Sequence, residues 1–188
     1  MHLKDKRFRE LAKLILKTSN SLSFTILEIG ALQITDKTEP FYQLLDCFPG
    51  SKIIAFEVDE ILCEELNKKA KPNMKYFPVP LGRTEETCSF FETVHPMCSS
   101  LYKPDEELMN LYNNLMGATK LKSVNCIKTE SLDFFTKSND IEVVDFIKID
   151  IQGAELDVFM GGVDTLADVV AIVSEVEFIP HYIDQPLF

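Results

Sequence analysis

The sequence predicts a doubly wound α/β domain built on a mostly parallel sheet. Five short apolar runs, rich in β-branched residues, recur along the chain, and segments with helical spacing lie between most of them. The runs are apolar at successive positions instead of alternate ones, the pattern of strands covered on both faces. At 188 residues the chain has the size of one ordinary domain and can bury a real core.

The elements follow in order. "MHLKDKRFRELAKLILK" is basic, but its apolar residues recur at helical spacing and are broken by charge, which predicts an amphipathic helix over residues 1–20 and no signal-peptide core. "FTILEIG" (24–30) is the first strand; its turn carries a single glycine, Gly30, where a dinucleotide loop carries two or three. "TEPFYQLLDCF" is a helix stopped by Pro49-Gly50. "SKIIAFEV" (51–58) is the second strand. "DEILCEELNKKA" opens acidic and ends in lysines, matching the helix dipole at both ends. "NMKYFPVPL" (73–81) is the third strand, "EVVDFIKIDI" (142–151) the fourth and "DVVAIVSEVEF" (168–178) the fifth, with "GAELDVFMGG" as the helix between the last two.

Residues 82–140 break this rhythm. "TCSFFETV" alternates like a strand with one wet face, "VHPMCSSLY" is a loop, and "DEELMNLYNNLM" is a short helix. "LKSVNCIKTESLDFF" is a strand leading to a capped helical turn. Ligands of α/β sheets sit at the carboxyl ends of the strands, so a ribbon and lid inserted at about 83–120 is expected to roof the pocket.

Composition excludes several functions. Asp and Glu outnumber Lys and Arg by 30 to 19, a net charge of −11, which argues against a partner tracked by its phosphates, so no nucleic acid is expected. No apolar run approaches the roughly 20 residues of a membrane span. The five cysteines show no metal spacing, and buried free thiols in a reducing, cytoplasmic setting are expected, without structural zinc.

The strand ends hold the candidate chemistry. The first delivers Glu28 and Gly30, the second Glu57, the fourth Asp150. From Gly30 to Glu57 is 27 residues, close to the roughly 20 expected for an acid that holds a ribose diol. The competing reading is a helix cap, a task Asp59 could also serve. Asp150 is either a cap for the helix beginning near Gly153 or an acid facing the site, with Lys148 as its partner. Glu155 stands in the first turn of that helix, where the dipole favours a carboxylate. His95 is an isolated loop histidine on the lid, and Glu175, Glu177, His181 and Tyr182 lie at or after the end of the fifth strand.

These residues together resemble the FkbM family of S-adenosylmethionine-dependent methyltransferases. "FEVDEILCEELN", "VPLGRTEETCSFFETVHPMCSSLYKPD", "IKTESLDFF", "DFIKIDIQGAELDVFMGG" and "SEVEFIPHYIDQPLF" resemble its segments in order, and "KIDIQGAE" is the most specific. The resemblance implies a class I methyltransferase, Rossmann-like fold over residues 21–188. It also implies S-adenosylmethionine as donor and a hydroxyl acceptor on a sugar, glycolipid or secondary metabolite. Beside this resemblance, Glu28, Gly30, Glu57, Gly82, Ser100 and Glu155 are expected at the cofactor; for a general base, Asp150 or His95 is the first expectation, with Glu175 behind them. Two departures stand out. Leu32 and Gln33 follow Gly30 where the family has small residues, and the chain stops at Phe188 where the family adds two strands. The expectation is a C-terminally truncated domain with an exposed sheet edge through which it could oligomerise. The competing reading is a methyltransferase-like binding or regulatory module without activity.

Overall fold

The computed structural model describes residues 3–19, 21–32, 39–112 and 115–187. Five strands form one parallel sheet: β1 (Thr25–Ile29), β2 (Lys52–Phe56), β3 (Met74–Phe77), β8 (Phe146–Ile149) and β9 (Ala171–Ser174). Their spatial order is β3-β2-β1-β8-β9, so the chain winds outward from β1 in one direction and then crosses back to β1's other side. That reversal between β1 and β8 is where such sheets open a crevice.

The continuous apolar runs explain why two layers of helix are needed. Successive side chains on a strand point to opposite faces. On β2, Ile53 and Ala55 enter one core with Tyr42, Leu45 and Cys63, while Ile54 and Phe56 enter the other with Leu132, Phe135 and Val158. On β1, Ile26 and Leu27 divide the same way. The first core is covered by α2 (Gln43–Cys47) and α3 (Glu60–Lys69), the second by α6 (Leu132–Ser138) and α7 (Glu155–Met160). Asp59 caps α3 by accepting from Leu62 N at 3.0 Å, and Ser131 caps α6 by accepting from Phe134 N at 3.3 Å. The N-terminal helix α1 (Leu3–Thr18) packs against α2, with Phe8 edge-on to Phe48.

All five expected strands are shorter than their apolar runs, three of them by half or more. The run at 73–81 ends as β3 at Phe77, because Pro78 and Pro80 have no N–H for the ladder. The chain then makes a two-residue contact, β4 (Leu81–Gly82) with β7 (Glu130–Ser131). β8 and β9 keep four residues each. β9 also departs from the two-sided burial expected of it: Ala171, Ile172 and Val173 are all exposed, and it forms one edge of the sheet.

Between β3 and β8, β5 (Thr87–Thr93) pairs antiparallel with β6 (Leu121–Lys128) as a separate ribbon. A 3-10 turn at Pro96–Cys98, α4 (Glu106–Met109) and α5 (Leu115–Thr119) lie between its strands. The single helix expected over 105–116 is thus two short ones, and Asn113 and Asn114 lie outside the described residues. Two backbone hydrogen bonds fasten this segment to the C-terminal tail: Asp105 N donates to His181 O at 3.0 Å and Ile183 N to Lys103 O at 2.8 Å, which makes Pro104 and Tyr182 an antiparallel bridge. All five cysteines are free, but only Cys63 is buried; Cys126 is exposed because its stretch of β6 is a solvated ribbon. Among the described residues no helix is long and apolar enough to cross a membrane.

Candidate active site at the strand ends

The carboxyl rim of the sheet is laced by residues just past the ends of β1, β2, β8 and β9. Glu57 N donates to Phe77 O, Ala31 N to Phe56 O, Asp150 N to Ile29 O and Glu175 N to Ile149 O, over 3.0–3.3 Å. The ladder thus runs one step past the strands and sets Glu57, Asp150 and Glu175 along one edge. Beside them Gly30 has φ +79. A Cβ there would stand 2.0 Å from the Asp150 carbonyl oxygen, so only glycine lets the ends of β1 and β8 meet this closely.

The alternation "IKIDIQ" buries Ile147 and Ile149 in the core and turns Lys148, Asp150 and Gln152 the other way. Lys148 Nζ lies 3.4 Å from Asp150 Oδ2 and 3.5 Å from Gly30 O, tying the two strand ends together. Gln152 Nε2 donates to Asp150 Oδ1 at 3.0 Å and to Glu175 Oε2 at 2.8 Å. The result is a continuous chain Lys148–Asp150–Gln152–Glu175 across the ends of β8 and β9. Partial burial and then the negative charge of Asp150 push the Glu175 carboxyl up to about 7. Asp150 does not cap the following helix, as one sequence reading expected. No side chain caps α7; Glu155, in its first turn, accepts from Ile151 N at 2.8 Å and Gly153 N at 2.9 Å and so fixes the loop that enters the helix.

Beyond Glu175 lies a cavity of about 400 Å³ between the lid and the tail. Gln152, Glu175 and Glu177 line one side, Cys98 and Met109 of the lid another, and His181 and Tyr182 a third. Ser100 Oγ donates to Gln152 O at 2.6 Å, which pins the lid over the loop after β8. The Tyr182 hydroxyl stands 3.0 Å from Cys98 O and 3.2 Å from Gln152 Oε1, sharing its one proton between them. Tyr102 of the lid donates to Asp157 Oδ2 on α7 at 2.6 Å.

The other sequence candidates are placed as follows. Glu57 is buried at the end of β2, accepts from Asp59 N at 3.0 Å, and burial raises its carboxyl above the usual range. Glu28 is 2% exposed and accepts from the Tyr42 hydroxyl at 2.6 Å; burial lifts its carboxyl to about 7. Its partner Tyr42 belongs to the core on that face of the sheet. Gly82 is packed within the β4–β7 contact, where a Cβ would stand 3.1 Å from the Thr129 side chain. His95 is exposed and is not among the cavity's lining residues. Leu32 is half-buried, and Gln33 lies outside the described residues. Gln152 was not a sequence candidate, although its place in the "IKIDIQ" alternation put it in phase with Asp150. Among the described residues no group of three His, Cys, Asp or Glu could hold a metal ion.

A parallel sheet that reverses its strand order beside a lidded cavity, with acids along its carboxyl rim, defines a Rossmann-like α/β protein. Residues 28–188 match the Methyltransferase FkbM domain family, and the chain belongs to that family. Neither a curated protein nor a solved structure gives a significant match. Family membership makes the protein a methyltransferase by class, with a small-molecule acceptor.

Proposed function

We propose that the chain transfers a methyl group from S-adenosylmethionine to a hydroxyl of a sugar, glycolipid or secondary-metabolite acceptor. The observation that carries this reading is the adjacency of two regions. Gly30, Glu57 and Asp150 end neighbouring strands at the reversal of the sheet, and Gln152 links Asp150 to Glu175 at the wall of the cavity.

The residues fit the donor. A carboxylate offers roughly four lone-pair sites, and the Asp59 N–H uses one on Glu57, so a ribose diol can be held there. Gly30 lets the end of β1 close against the Asp150 backbone at the same rim. The acids along the rim favour a cation, and the net charge of −11 favours its approach. Glu28, Gly82, Ser100 and Glu155 remain part of the proposal as residues that shape the site through their neighbours. Glu28 holds Tyr42, Gly82 packs the third-strand turn, Ser100 fixes the lid, and Glu155 fixes the loop after β8.

When bound, the donor supplies a methyl group activated on sulfur. The protein's share is alignment of the acceptor hydroxyl and acceptance of its proton as the carbon–oxygen bond forms and the carbon–sulfur bond breaks. Glu175 and Asp150 are the carboxylates placed for that proton. His95 would have to move with the lid to reach the cavity, so it stands behind them.

Calorimetric titration with S-adenosylmethionine tests the reading. Saturable heat in the wild type, lost in Glu57→Ala, is expected. No heat at millimolar ligand would favour the inactive binding or regulatory module instead.

A further inference from the structure

We infer that Gln152 is a positioning residue: its carboxamide holds the Asp150 and Glu175 carboxylates at a fixed separation, while its backbone carbonyl ties the same loop to the lid. The inference rests on the methyl-transfer reading for its part in the reaction. It stands on geometry that is independent of that reading.

Every polar group of the Gln152 side chain is engaged. Its two N–H bonds go one to each acid, at 3.0 Å to Asp150 and 2.8 Å to Glu175. An ionised carboxylate is an acceptor only, so the NH2 group faces the two acids and Oε1 faces the Tyr182 hydroxyl 3.2 Å away. The backbone carbonyl accepts from Ser100 at 2.6 Å. One residue therefore joins the ends of β8 and β9, the lid and the C-terminal tail.

The backbone supports the same conclusion. Gln152 has φ +60, a left-handed conformation that costs a residue with a Cβ about 1 kcal/mol or more. Glycine would relieve that cost, and the next residue is Gly153. The strained position nevertheless carries the one neutral side chain of this length that can give an N–H to both acids. Glutamate would fill the same volume with acceptors alone and place a third negative charge between the two.

The groups that face Glu175 come from four elements. Lys148 lies on β8 and Asp150 just past its end, Glu155 starts α7, Glu177, His181 and Tyr182 lie on the tail, and Cys98 lies on the lid. Lys148 is paired with Asp150 at 3.4 Å, and His181 with Glu177 at 3.2 Å. Asp150 and Glu175 also lie within hydrogen-bonding reach of each other, and the Gln152 amide is the neutral donor that both share when they are ionised and repel.

The test is carbon-13 NMR titration of labelled carboxyl groups in the wild type, Gln152→Gly and Gln152→Glu. Gln152→Gly suits the left-handed backbone and Gln152→Glu keeps the side-chain shape, so circular dichroism should show both folded. Loss of the shared donor should raise the Glu175 midpoint by about one pH unit in Gln152→Gly, and by more in Gln152→Glu. The pH profile of methyl transfer should move in the same direction. Unchanged midpoints in either folded variant overturn the positioning role. Failure of the wild type to bind S-adenosylmethionine, read separately by calorimetry, overturns the reaction role together with the proposed function.

Discussion

Gly30 passes beneath the Asp150 carbonyl so closely that a Cβ would stand 2.0 Å from the oxygen, at a φ of +79. The atom in the way is backbone, held by the Asp150 N–H to Ile29 O bond of the parallel ladder, so it cannot step aside. Gly30→Ala should therefore cost more than about 3 kcal/mol, combining a strained dihedral with overpacking. Urea unfolding measures it; a loss below about 1 kcal/mol would show that the two strand ends are not locked together.

Glu28 makes stability depend on pH. Its carboxyl is raised from 4.5 to about 7 in the folded chain by burial. The folded state therefore binds the proton more tightly than the unfolded state. Stability from this group is full below pH 4.5 and is lost as pH rises to about 7, by at most about 3 kcal/mol. Glu57 and Glu155 are raised in the same direction. Glu28→Gln should raise the urea midpoint at pH 8 and leave it nearly unchanged at pH 4. Equal effects at both values would refute the assignment.

Methyl transfer should rise with pH through a midpoint near 7, because a carboxylate must be ionised to accept the acceptor's proton and Glu175 titrates there. Glu175→Gln should remove that limb and lower the rate about 100-fold or more. Asp150→Asn should reduce transfer strongly with the fold intact. Wild-type turnover in either variant would take that residue out of the mechanism.

Tyr182 is 2% exposed and shares its hydroxyl proton between Cys98 O and Gln152 Oε1. Tyr182→Phe should cost about 1–3 kcal/mol, since it leaves the lid carbonyl without that donor. The loosening should be local. Amide exchange should quicken at Asp105 and Ile183, which pair across the same lid–tail seam, and remain slow in β1 and β2.

Much of the sheet was legible from local chemistry. "TILEI" and "KIIAF" are apolar at successive positions, and such strands find burial only between two layers of helix. Asp59, Pro49 and Gly161 marked helix boundaries through caps and stops that act within a few residues. The run at 168–178 was misread as two-sided, because apolar content alone does not say whether a strand is central or at the edge. The site was legible in part. Glu57, Asp150 and Glu175 announced themselves as acids at strand ends. Gln152 did not, because its importance comes from partners two residues before it and 23 residues after it, on two different strands.

The sequence by itself determined the alternation of strands and helices, the single glycine after the first strand, the acidic rim and the family to which the chain belongs. The first three follow from side-chain periodicity, backbone permissiveness and charge, which are properties of short stretches; the family follows from the resemblance of several motifs in order. Only the tertiary structure decided that Glu28 is buried against Tyr42, that His95 faces solvent, that Glu155 and not Asp150 secures the turn into α7, and that Gln152 bridges two acids. Each of these depends on which residues from distant stretches reach hydrogen-bonding distance. That proximity is set by sheet order and lid packing, which no local pattern encodes.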